Sequence, residues 1–491
     1  MSTKITDLQP KEVWKYFIEI TKIPRPSKKE EKIASYLIDF AKKHKLEYTK
    51  DETGNVLIRK PAVKGFEDRK TVCLQSHMDM VCEKNRDKNF DFEKDAIQAY
   101  VDGEWLTADG TTLGADDGIG IATSLAILAS DKINHGDIEC LFTVDEETGL
   151  SGAFGLKPGF LKSEILLNLD SEDDGQIFIG CAGGRDTTAK LFFTKELVPD
   201  YTIPYKISVK GLKGGHSGDD INKGLGNANK ILNRVLHQAT RTYGVRLHNF
   251  NGGNLRNAIA REAEAVVLIN QAVKDKFIRM VEKFNKTIKK ELKTTEPDLQ
   301  VNTFEVEQPY FVIDQKSQKT LINLVYACPH GVIEMSRDIP NFVETSTNLA
   351  SVKTGEDYFH FTTSQRSSVD SALDDVVNMV TASFKLAGAE TEHTDGYPGW
   401  APNPGSEILK VAESSYKNLF NEDPDVLAVH AGLECGLIGE KYPGMDMISY
   451  GPELIGVHSP DEKIHIKSVE KFWKWTLDIL ENIPRKIQAK K

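Results

Sequence analysis

Short apolar runs that stop at a histidine or an acid recur along this chain, and they limit its fold more than any other feature. TVCLQS at 71–76 leads into His77 and Asp79. ECLFTV at 139–144 leads into Glu146 and Glu147, and EILLNL at 164–169 leads into Asp170. Continuous apolar runs of this length suit strands buried on both faces of a sheet. Helical patterns lie between them. Ile33, Tyr36, Leu37 and Phe40 fall at helical spacing, and 116–129 is small and apolar with a helical look. Strands alternating with helices predict an α/β sheet flanked by helices. In such a sheet ligands bind at the carboxyl ends of the strands.

Further elements fill in the organisation. Ser27-Lys-Lys-Glu30 reads as a capping box for the first of these helices. A strand is expected at 55–59 after the turn at Gly54. The character changes after about residue 186. Segments 190–193 and 205–210 alternate like half-exposed strands, whereas 228–242 and 273–292 are helical. The lysines of the second helix read as a solvated face. DGYPGWAPNPG at 395–405 is a loop and a domain junction. A helix at 407–419, a last core strand at 447–450 and an amphipathic helix at 468–483 complete the chain. With 491 residues, two or three domains are expected. The reading is a catalytic α/β domain in two parts, 1–186 and 395–491, interrupted by an inserted α+β domain at 187–394.

Charge and composition exclude several classes of function. Lys and Arg total 62 against 73 for Asp and Glu, a net charge of −11, which argues against a nucleic-acid binder. No run of ~18 apolar residues exists, so no membrane span is expected. The N-terminus, MSTKITDLQPKEVW, lacks the apolar core of a secretory signal. Cys73, Cys82, Cys140, Cys181, Cys328 and Cys435 are scattered singly with no CxxC pair. That pattern fits a reduced, cytoplasmic protein rather than a disulfide framework.

The acids and histidines then form one constellation. Asp116 sits in TLGADDGIG, and His458 lies in GPELIGVHSPDEK shortly after the last core strand. Each has a plain structural reading alone. His77 could be a satisfied core histidine, Glu146-Glu147 a surface pair, Asp116-Asp117 a helix cap and Asp170 a turn residue. Gathered at one sheet edge, they make the arrangement expected of a metal site. Imidazole and carboxylate without thiol suit zinc, and also manganese or cobalt.

Longer motifs carry a family resemblance. They are SHMDMV at 76–81, TLGADDGIGIA at 112–122, FTVDEETGLSGA at 142–153, NLDSED at 168–173 and HSPDEK at 458–463. KGLKGGHSG at 210–218, GGNLRNAI at 252–259, YPGW at 397–400 and HAGLECG at 430–436 extend it over nearly the whole chain. The chain resembles the aminoacyl-histidine dipeptidases, bacterial cytosolic enzymes of the two-zinc aminoacylase and carboxypeptidase clan.

The resemblance implies a zinc-exopeptidase-like mixed sheet, a lid as the inserted domain, and two Zn2+ per chain. It makes Asp116 the bridge between the metals. His77 and Asp170 complete one site, and Glu147 and His458 the other, with a shared position for water. Glu146 is implied as general base and Asp79 as the carboxylate that orients His77. In the lid, His216 is implied to stabilise the oxyanion, and Asn257 and Arg366 to hold the substrate's free carboxylate. Backbone donors near Gly432 are implied beside them. Lid closure would leave space for one residue beyond the scissile bond, the logic of a dipeptidase. The implied substrates are Xaa-His and related dipeptides. A broader dipeptidase, tripeptidase or N-acyl amino acid hydrolase on the same scaffold is the alternative, and monomer and homodimer both stay open.

Overall fold

A computed structural model describes residues 4–486, and these divide into two compact units. The first contains the chain up to Gly180, Pro402–Ala428, and the residues from Leu433 onward. The second contains Cys181–Ala401 and Val429–Gly432. Sequence patterning put the boundaries at 186/187 and 394/395. They fall further out because 181–184 pairs with 397–400. The Trp400 N–H donates to Cys181 O and the Tyr397 N–H to Gly184 O, both at 2.9 Å.

The first unit is built on an eight-stranded mixed sheet. Four of its strands run parallel at the centre: Ile138–Thr143, Val72–His77, Ile165–Asn168 and Asp446–Ser449. Every residue of the first three is buried, as strands covered by helices on both faces must be. Among the helices are Lys11–Ile20, Glu31–His44, Ala115–Ala129, Glu407–Phe420 and Ile466–Glu481. Trp475 ties the last two together. Its ring lies 4.8 Å from Tyr416 and 4.7 Å from Tyr450, and its indole N–H donates to Ala412 O at 3.0 Å.

The central strands carry polar side chains that partner one another across the sheet. The Ser449 hydroxyl donates to Asn168 Oδ1 and Asn168 Nδ2 to Gln75 Oε1, both at 2.5 Å. Gln75 Nε2 donates to Glu434 Oε2 at 2.6 Å, and the Thr143 hydroxyl donates to the same oxygen at 2.8 Å. All five residues are buried.

One expected local signal resolves differently. The helix begins at Glu31, with no side-chain cap from Glu30. Ser27 and Glu30 are drawn elsewhere. The Ser27 hydroxyl donates to Asp79 at 2.7 Å, and Glu30 Oε1 accepts the N–H groups of Lys28 at 2.7 Å and Asp145 at 3.0 Å. Both side chains brace the loops that carry the acids.

The second unit is a nine-stranded sheet joined by antiparallel pairings. Its helices Ala228–Tyr243, Lys274–Glu291, Gln315–Ala327 and Asp370–Leu386 share one apolar core with the sheet. Leu232, Phe277, Leu321 and Phe384 of the helices join Ile207, Phe250 and Phe361 of the strands there. The Lys-rich helix buries Phe277, Met280, Val281, Phe284 and Ile288 at helical spacing, so its lysines do face solvent.

Candidate active site

The parallel strands deliver their carboxyl ends to one edge of the first unit. His77 ends its strand, Glu146 and Glu147 follow Ile138–Thr143, and Asp170 follows Ile165–Asn168. Asp116 opens the Ala115–Ala129 helix with non-helical backbone angles, φ −80° and ψ 114°. His458 sits between the short strands Leu454–Ile455 and Lys463–His465, with φ at 62°. That left-handed conformation is unusual for a histidine and recurs at functional sites.

These side chains meet in two groups that share Asp116. His77 Nε2 lies 2.9 Å from Asp116 Oδ1 and 3.3 Å from Asp170 Oδ1. His458 Nε2 lies 3.1 Å from Asp116 Oδ2 and 3.0 Å from Glu147 Oε2. Asp116 therefore turns one oxygen to each group. Bonds of ~2.0–2.2 Å to a tetrahedral ion put ligand atoms roughly 3.3–3.6 Å apart, so a small outward shift of these side chains would admit one. His77, Glu146 and Glu147 form a third cluster of donors.

The electrostatics also favour a cation. Burial pushes the Asp170 carboxyl up to about 7, with His77 opposing and Asp116 adding to the push. Burial, with Asp170, Glu434 and Glu147 alongside, holds Glu146 well above the usual carboxylate range against the pull of His77. Burial disfavours a charge on His77, yet Asp170, Asp116 and Asp79 hold it far above its ordinary value. Hydrogen bonds to Asp116 and Glu147 raise His458 to about 11. The cluster thus calls for positive charge, and divalent ions would displace those protons.

Asp79 proves to be a brace for several groups. Its Oδ1 stands 3.4 Å from His77 Nδ1, long for a hydrogen bond. The stand-off follows from its other duties. Oδ1 accepts the Glu146 N–H at 3.0 Å, and Oδ2 accepts the Glu147 N–H at 3.2 Å. Arg25 and Glu462 complete the frame. Arg25 Nη1 donates to the carbonyls of Met78 at 3.0 Å and Asp79 at 2.5 Å, and its Nη2 donates to that of Gly114.

Glu462 accepts the N–H groups of Leu113 and Ala115 at 2.7 Å and Gly114 at 3.0 Å, with that of Asp116 at 3.4 Å. Glu462→Ala should lower stability by roughly 2–4 kcal/mol, because buried amides lose their acceptor. Urea unfolding of chelated protein measures this without a contribution from metal loss. An unchanged midpoint would mean that the 113–116 turn holds itself.

The remaining expected site residues lie together in the second unit. His216 Nδ1 is 2.9 Å from Asp219 Oδ2, and that hydrogen bond holds the Asp219 carboxyl below its ordinary value. Asn257 is exposed, and its carbonyl accepts the Ser217 N–H at 2.8 Å. His216 and Asn257 line a cavity of about 850 Å3. Arg366 is buried and its Nη1 donates to Tyr397 Oη at 2.9 Å. Gly432 abuts the same tyrosine, since a Cβ there would stand 2.7 Å from Tyr397 Cε2. His430 Nε2 pairs with the Ser346 hydroxyl at 2.7 Å. Burial, helped by Arg366, pushes that imidazole down to about 3, so it is neutral.

Sequence reasoning gave no role to Arg25, Asp219, Tyr397, Glu434 or Glu462. Four of them lie inside or beside the quoted motifs. Arg25 lies outside all of them and carried no signal.

The sequence model of peptidase family M20/M25/M40 matches residues 73–482. The chain belongs to this peptidase family. The cytosol non-specific dipeptidase of Escherichia coli (strain K12) is 45% identical over 484 residues, covering 99% of this chain and 100% of that protein. The crystal structure of aminoacylhistidine dipeptidase from Vibrio alginolyticus matches with a TM-score of 0.93 at 44% identity, covering 99% of each chain. The aminopeptidase PepT of Bacillus cereus ATCC 10987, with a TM-score of 0.57 at 17% identity over 97% of this chain and 99% of that one, shares the fold.

Proposed function

We propose that the protein is a metal-dependent dipeptidase that cleaves Xaa-His and related dipeptides with free amino and carboxyl ends. The observation that carries this reading is Asp116, with one oxygen toward His77 and Asp170 and the other toward His458 and Glu147. His77 and Asp170 would hold one ion, Glu147 and His458 a second, and Asp116 both. Zinc is the metal proposed, and manganese or cobalt suits the same donors. When bound, the ions supply Lewis acidity to the scissile carbonyl and to water.

The chain's own groups do the rest. Glu146 takes a proton from the attacking water and passes it to the leaving nitrogen. A carboxylate can perform both steps, as base and then as acid. Asp79 keeps Glu146 and Glu147 in register by holding their amides. His216 donates to the developing oxyanion. Arg366 and Asn257 hold the substrate's carboxylate, with the Gly432 backbone N–H beside them. A cytoplasmic location is proposed on the name of the Escherichia coli relative. Among the described residues no helix is long and apolar enough to cross a membrane.

The same relative's name, a non-specific dipeptidase, favours a second reading with broader choice at the C-terminal residue. One panel separates the two: β-alanyl-histidine, Gly-His, Leu-Leu, a tripeptide and an N-acetyl amino acid, with a chelated control. Chelator-sensitive cleavage strongest for Xaa-His is the expected result. Equal cleavage of Leu-Leu supports the broader reading. Cleavage of the tripeptide or the acetylated compound moves the substrate class, and no cleavage at all sinks the proposal.

A further inference from the structure

We propose that Tyr397 is a second donor to the substrate's carboxylate beside Arg366, and that the bare backbone at Gly184 is what lets it reach. The inference rests on the reading of Arg366 as the carboxylate's partner.

Four residues form a row across neighbouring extended segments of the second unit. Ser346 is the register partner of Arg366, Arg366 of Gly184, and Gly184 of Tyr397. Directly opposed residues project from the same face of a sheet. Tyr397 can meet Arg366 only by laying its ring across position 184. A Cβ at 184 would stand 2.7 Å from Tyr397 Oη, so only glycine leaves the path open. Gly432 clears the other side of the ring in the same way.

The donors in this row have unused capacity. Arginine has only N–H donors, so at 2.9 Å the Tyr397 oxygen is the acceptor. The phenol's own proton then remains to be given, and no residue among those described takes it. Burial raises the phenol above its ordinary value against the pull of Arg366, which keeps that proton in place. Arg366 Nε is also buried without a partner. Arg366 is 7% exposed, so bulk water does not satisfy it. One guanidinium and one phenol fit an anion with two acceptor oxygens. That is a carboxylate, the end group of a dipeptide.

The test compares a dipeptide with its C-terminal amide, using the metal-loaded enzyme. Tyr397→Phe keeps the ring and removes only the donor. KM for the dipeptide should rise about 10- to 100-fold with kcat little changed, the signature of lost uniform binding. Preference for the dipeptide over its amide should fall by the same factor, with metal content and melting temperature as in wild type. Gly184→Ala should move KM in the same direction by displacing the ring. A wild-type enzyme that cleaves the amide as readily as the dipeptide would overturn the reading of Arg366, and this inference with it. If Arg366→Gln abolishes the preference but Tyr397→Phe leaves KM and preference intact, Arg366 stands and the role of Tyr397 fails. A Tyr397→Phe defect confined to kcat would overturn it equally.

Discussion

Replacing Glu146 by glutamine should cut turnover by ~10²–10⁴-fold while the protein keeps its fold and its metal. Glutamine has the shape of glutamate but cannot accept and return a proton. The distinction matters because Glu146 also belongs to a donor cluster with His77 and Glu147. A ligand role and a base role predict different outcomes for the same substitution. Turnover and metal stoichiometry measured on one preparation separate them. Lost turnover with full metal identifies the base. Lost metal makes Glu146 a ligand, and near-normal turnover removes it from the chemistry altogether.

Asp116→Ala should abolish stoichiometric metal binding and lower turnover by at least ~10³-fold, as expected when charge stabilisation of several kcal/mol is withdrawn. Its two oxygens face different groups, so on the proposed assignment one substitution removes a ligand from both. His458→Ala would then remove a ligand from one group alone and should cost about half the bound metal. Elemental analysis after dialysis reads both. Unchanged metal content in Asp116→Ala would refute the bridging assignment, as would a loss limited to half.

The parts of this site that were legible in the sequence share a cause. His77 ends, and Glu146, Glu147 and Asp170 follow, strands that are buried throughout because helices cover both faces, so a mostly apolar run and its end are marked together. Asp116 and His458 follow no such run directly; the constellation included both, and resemblance supplied their roles. The frame around these side chains carries no periodic signal. Arg25 meets Asp79 across 54 residues, and Glu462 meets Gly114 across 348. Such contacts exist only once the chain has closed. The capping box failed for a related reason. Ser27 and Glu30 match the local pattern, yet distant partners recruit both side chains. Tyr397 lies in a loop dense in glycine and proline, where pattern gives a turn but no direction for a ring. The unit boundaries shifted because backbone pairing at 181–184 leaves no mark in composition.

The chain of hydrogen bonds from Ser449 through Asn168 and Gln75 to Glu434 has a consequence for how this sheet assembles. Parallel strands have no hairpin to fix their alignment, and uniformly apolar strands would slide past one another at little cost. Here Ser449, Asn168 and Gln75, on three neighbouring strands, find their partners only at a single offset. A slip of one residue would turn such a side chain to the opposite face and bury it without a partner. The lateral alignment that brings four strand ends level is therefore written into the sheet's interior, behind the site's acids and histidines and independent of any ion. The protein should reach its native strand alignment before metal arrives.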